Sequence, residues 1–101
     1  MQATIQSINL IATDPDVRSG RPYLIGTSVT VADIAIVKLH HAQDADGLAD
    51  WFGLTLPQVY AALAYYYDHK KTIDSQIYTQ LRQAQKFKEQ RLGSKDSLLS
   101  R

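Results

Sequence analysis

The chain has 101 residues, 45% of them hydrophobic and 21% charged, which suits one folded domain with a modest core rather than a disordered segment. Cysteine is absent, which excludes disulfides and thiolate chemistry, and no apolar run approaches the roughly 20 residues needed to cross a bilayer. The net charge of +1 conceals an asymmetry: residues 1–68 hold three basic and seven acidic side chains, a balance of −4, and residues 69–101 hold eight basic and three acidic, a balance of +5.

Residues 1–7 carry little pattern and lack the basic segment and apolar core of a signal peptide, so a cytoplasmic protein is expected. Residues 8–13 alternate Ile8, Leu10 and Ala12 against Asn9, Ile11 and Thr13, the period of a strand. Asp14-Pro15-Asp16 is a turn signal, and Arg18 to Pro22 reads as a loop. Residues 22–29 supply a second short strand around Tyr23, Leu24 and Ile25, closed by Gly26. The two strands pair as an N-terminal β-hairpin spanning 8–29, which needs a helix or a second subunit to cover it.

Thr30 opens the first helix. Thr30 and Asp33 have capping-box spacing, Val29 and Ile34 have staple spacing, and the helix ends near Ala42. A helix at about 46–52 carries Leu48, Ala49, Trp51 and Phe52. After a tight turn at Gly53-Leu54, Thr55 and Gln58 repeat the capping box, Leu54 and Val59 repeat the staple, and Pro57 sits where its missing N–H costs nothing. The helix from Thr55 to Asp68 sets Leu56, Val59, Tyr60, Leu63, Tyr66 and Tyr67 at spacings of three and four, leaving Ala61, Ala62, Ala64 and Tyr65 as its exposed side. A last helix over 70–92 carries Ile73, Ile77, Leu81 and Ala84 as its stripe, is broken by Gly93-Ser94, and leaves 93–101 as a mobile tail.

Two capped helices joined by a tight turn form the pattern of a helix-turn-helix, whose second helix often reads DNA; an ordinary helical corner has the same pattern. The DNA-contacting candidates are Arg18, Arg21, Thr55 and Gln58, because phosphates are met by cations and helix N-termini. Against DNA reading stands the helix from Thr55 to Asp68 itself, which holds no Lys or Arg. The basic final region serves either as a solvated helix face or as a contact for nucleic acid or an acidic partner.

No catalytic, cofactor-binding or metal-binding set emerges. His40 and His41 are adjacent and point to different sides of a helix, and His69 lies alone at a helix C-terminus. There is no phosphate-cradling glycine loop and no nucleophile elbow. Asp14 and Asp16 are accounted for by turn chemistry, and Asp44, Asp46 and Asp50 by a helix start. Trp51, Tyr65, Tyr66 and Tyr67 are candidate interface anchors, since three consecutive tyrosines cannot all face one core.

The segments RPYLIGTSVTVADI and LTLPQVYAALAYYYDHKKTID together resemble the domain-of-unknown-function family 433, over about residues 8–80. The residues that carry the likeness are Asp14-Pro15, Gly20-Arg21-Pro22, Leu24-Ile25-Gly26-Thr27, Leu54-Thr55, Val59, Ala62-Leu63 and Tyr65-Tyr66. Two positions depart from the family pattern: Ser28 stands where Arg is usual, which removes a cation before the first helix, and Arg21 stands where Lys is common. The resemblance implies a DNA-binding-like three-helical fold, a homodimer and an antitoxin role beside a PIN-type toxin. The expected architecture is therefore mainly α: a three-helix helix-turn-helix, winged-helix-like core within residues 1–92, with an N-terminal β-hairpin and a fourth, C-terminal helix. The expected function is a non-enzymatic antitoxin-like regulator that dimerises, binds and neutralises a toxin with its basic C-terminal region and represses its own promoter, with a protein-interaction or structural module that binds no DNA as the alternative.

Overall fold

The structure, a computed structural model, describes the backbone of residues 2–99 and the side chains of residues 2–90. It is mainly helical, with a small antiparallel hairpin near the N-terminus: β1 (Ile11–Ala12), β2 (Tyr23–Leu24), α1 (Val31–His41), α2 (Ala45–Phe52), α3 (Leu56–Asp68) and α4 (Lys70–Leu99).

The hairpin is shorter than the alternation predicts. Ile11 pairs with Leu24 and Ala12 with Tyr23, and the amide of Ile25 donates to the carbonyl of Leu10 at 3.0 Å. The chain then turns early, at Gly26 (φ 83), with the Thr27 amide donating to the Leu24 carbonyl at 3.0 Å. Tyr23 also forms a bridge to Thr30, and Val31 donates to Pro22 at 2.9 Å. β2 is thus held on one side by β1 and on the other by the entry to α1, and the turn at Gly26 ends the ladder.

The starts of α1, α2 and α3 each have a side-chain cap. Asp33 N–H donates to Thr30 Oγ1 at 3.0 Å while Thr30 N–H donates to the Asp33 carboxylate at 3.1 Å, which satisfies two orphan donors reciprocally. Asp44 caps α2 by accepting from Gly47 N–H at 2.8 Å, so α2 begins a residue before the expected start. Thr55 and Gln58 form the second reciprocal box at the head of α3. Between α2 and α3, Gly53 takes a left-handed φ of 66, and the amides of Gly53 and Leu54 both return to the Ala49 carbonyl. That left-handed residue favours glycine, and it makes the turn of the helix-turn-helix.

The core is small and continuous. Leu24 comes from the hairpin, Val31, Ile34 and Ala35 from α1, Leu48 from α2, Val59, Ala62 and Tyr66 from α3, and Ile73 and Ile77 from α4. Ala62 is fully buried, contrary to the exposed position its neighbours Ala61 and Ala64 suggest; it lies on the same inward stripe as Val59 and Tyr66. Leu56, Tyr60 and Tyr67 take the outward positions instead.

α4 does not stop at Gly93-Ser94 but runs to Leu99, in place of the tail expected from residue 93; residues 100–101 lie outside the described residues. An interior glycine costs a helix about 1 kcal/mol and does not by itself end one. Among the described side chains, only the first part of α4 packs on the domain, and residues 81–90 are all exposed. The molecule is accordingly long, 77 × 28 × 24 Å.

Candidate interaction surface

The loop before β2 is backbone-strained. Arg18, Ser19 and Gly20 have consecutive φ angles of 47, 60 and 78, a left-handed run in which each non-glycine residue costs about 1–2 kcal/mol. The run directs Arg18 back onto α1. Its Nη1 donates to Asp33 Oδ2 at 2.7 Å and to the Ser28 carbonyl at 3.0 Å, and its Nη2 donates to Asp33 Oδ1 at 3.2 Å. Asp33 Oδ1 also accepts from Gln80 Nε2 at 3.1 Å, and Gln80 Oε1 accepts from Arg21 Nη1 at 2.9 Å. Loop, α1 and α4 are stitched through one carboxylate. Burial opposes the charge on Asp33, but hydrogen bonds from Arg18, the Thr30 amide and Gln80 outweigh it and hold its pKa below the usual carboxylate value. The same pairing, led by the hydrogen bond to Asp33, raises the Arg18 pKa.

Arg18 and Arg21, the two cations selected as DNA contacts, are therefore both engaged inside the chain, and Arg21 is half-buried. Thr55 and Gln58, the other two DNA candidates, satisfy each other: Thr55 N–H donates to Gln58 Oε1 at 2.8 Å, and Gln58 N–H donates to Thr55 Oγ1 at 3.4 Å. The structure does not bring these four residues into one group. The arginines knit the hairpin loop to α1 and α4, and the capping pair heads α3.

The four candidate anchors divide. Tyr66 is 1% exposed and belongs to the chain's own core, which corrects its selection as an interface residue. Its spacing from Val59 and Ala62 turns it inward, and its hydroxyl finds Asp74 at the corner of α4 at 2.7 Å. Burial, then that hydrogen bond, raises the Tyr66 pKa, and Lys70 completes the corner, 2.9 Å from Asp74 and 5.4 Å from the Tyr66 ring centroid. Tyr65 is half-buried and stacks on His69 with ring centroids 3.9 Å apart. Tyr67 is exposed, and Trp51 is exposed beside His41, with ring centroids 5.0 Å apart.

What α3 presents to solvent is apolar and aromatic. Leu56, Pro57, Tyr60, Ala64 and Tyr67 are exposed, and the helix holds no cation. Together with the irregular N-terminal segment, this face forms an open groove of about 630 Å³ lined by Ile8, Ile11, Pro57, Tyr60, Ala64 and Asp68, among others. Tyr60 is 59% exposed and Ile8 78%, a large apolar area to leave in water. Sequence reasoning missed Ile8 and Tyr60 as surface residues, because spacing assigns each to an apolar stripe without saying which stripe faces the core. It missed Gln80 as well, which meets Asp33 across 47 residues of chain. Among the described residues, no three His, Cys, Asp or Glu side chains gather as a metal set, and no helix is long and apolar enough to cross a membrane.

The sequence model of one protein family, described as a protein of unknown function (DUF433), matches residues 11–66, from β1 to near the end of α3. Comparison with curated proteins and with solved structures returned no match.

Proposed function

The chain belongs to the DUF433 family of proteins of unknown function, and from that premise we propose that it is a non-enzymatic, antitoxin-like cytoplasmic regulator that dimerises and neutralises a PIN-type toxin by protein contact. The observation that carries this reading is the set of exposed aromatic and aliphatic residues outside the α3 groove, Trp51 on α2 and Leu56 and Tyr67 on α3. These are the residues of protein interfaces, and α3 holds no cation for a phosphate. Tyrosine anchors contribute large contact area at low entropic cost.

The test is co-expression with a PIN-type nuclease encoded beside the gene. Co-purification and rescue of growth support the reading. Growth arrest that the chain does not relieve, with no complex recovered, sinks it.

Repression of its own promoter is the second activity in this proposal. It draws on the helix-turn-helix geometry, on the solvent-exposed head of α3 at Thr55, and on the surplus of basic residues after residue 69. With Arg18 and Arg21 tied to Asp33 and Gln80, the phosphate contacts fall to α4. Fluorescence anisotropy on the upstream duplex, against a scrambled duplex across a salt series, decides it: binding that prefers the sequence and weakens steeply with salt supports repression. Equal weak binding to both duplexes, or none, leaves a protein-interaction module without DNA.

A further inference from the structure

α4 has two halves with different surroundings. Ile73 and Ile77 on its stripe are buried in the domain core. At the next steps of the same stripe come Leu81 and Ala84, and both are exposed. At about 100° per residue they lie within about 60° of each other on the helix. From Tyr78 to Leu99 the helix extends about 33 Å past Ile77, the last buried residue among those described, and this arm carries five basic and two acidic residues. A continuous helix cannot fold back on its own domain, so the apolar side of the arm can be covered only by another molecule.

The α3 groove is the matching surface. It is apolar, it is edged by the exposed carboxylate of Asp68, and no cation lies among the described residues that line it. α3 is 13 residues, about 20 Å, long, so one arm suffices to cover it. The groove belongs to the part of the chain with a balance of −4. We infer that the basic arm of α4 from one copy of this chain lies along the α3 groove of a second copy, and reciprocally, so that the dimer is held by exchanged arms. Charge selects this pairing over two arms in a coiled coil, which would bring two surfaces of the same sign together, and over two facing grooves, each with its own Asp68.

This arrangement rests on the dimerisation in the proposed function and adds the surfaces that make it. It is tested without a toxin, by sedimentation equilibrium of the full chain. Leu81→Glu spoils the arm, and Ala64→Lys sets a cation in the groove. Both positions are exposed, and circular dichroism checks that each variant folds. The wild type is expected to dimerise, and each variant alone to raise the dimer Kd by about tenfold or more. An equimolar mixture of the two is expected to recover dimer, because an intact arm then meets an intact groove.

Three results overturn the inference. One is a wild type that stays monomeric at about 100 μM. Another is Ala64→Lys dimerising as the wild type does, which means arm meets arm. The third is Leu81→Glu dimerising as the wild type does, which means the arm is not the contact. A chain that exchanges arms yet captures no toxin would leave this inference standing and sink the proposed function.

Discussion

The heads of α1 and α3 carry the same sequence device, a threonine and an acid or amide three residues on, and the structure closes both as reciprocal capping boxes. Their surroundings differ. Thr30 is fully buried, and Asp33 accepts not only from its cap partner but also from Arg18 and Gln80, at a side-chain exposure of 17%. Thr55 is exposed, and among the described residues the Gln58 side chain bonds only within the box. A local motif thus sets where a helix starts but not what that start is for. At α1 the cap has become the joint of the whole domain. At α3 it remains a local stop, with its face open to a partner.

Removing the joint should have the largest effect. Asp33→Ala deletes the acceptor of four hydrogen bonds, two of them from Arg18, and is expected to cost about 3 kcal/mol by urea denaturation. A loss equal to that at an exposed cap would erase the distinction between the two helix heads. Next in size is the paired comparison of the threonines. Thr30→Ala should cost about 2 kcal/mol and Thr55→Ala about 1 kcal/mol or less, since the buried cap leaves its donors without water.

Acid should separate the two heads further. The folded pKa of Asp33 lies below its unfolded value of about 3.9, so the folded state binds fewer protons there. Its stabilisation is complete above about pH 5, where both states are ionised, and is lost as the pH falls through the folded pKa. Asp33→Asn should flatten the acid limb of a stability–pH profile, while Gln58→Ala should leave its slope unchanged. The smallest effect is expected at the arm: Leu81→Glu should change the stability of the isolated domain by less than about 0.5 kcal/mol, because position 81 lies outside the core. A large loss in the monomer would mean that the arm supports its own domain.

The sequence made the local features legible. Both capping boxes, the Gly53 turn and the order of four helices follow from residues within five positions of one another, and the hairpin before them from two apolar runs on either side of a turn signal. It did not show how far the strands extend, because an alternating pattern over residues 8–13 reveals nothing of where the partner strand turns away. It also left the inward face of α3 open. Val59, Ala62 and Tyr66 point in while Leu56, Tyr60 and Tyr67 point out, and both sets have helical spacing. Of the candidate site, the arginines could be named but not placed, because their partners Asp33 and Gln80 are 15 and 59 residues away. Gly93 misled in the other direction, since one weak helix former does not outweigh its helix-favouring neighbours.

The protrusion of α4 also sets how the molecule moves through solvent. Its radius of gyration is 17.5 Å, against about 13 Å for a compact domain of 100 residues. A head with a rod attached meets more drag than a sphere of the same mass and leaves a gel-filtration column early. Calibrated against globular standards, a single copy would therefore pass for something heavier, and its mass is to be read by light scattering, which does not depend on shape.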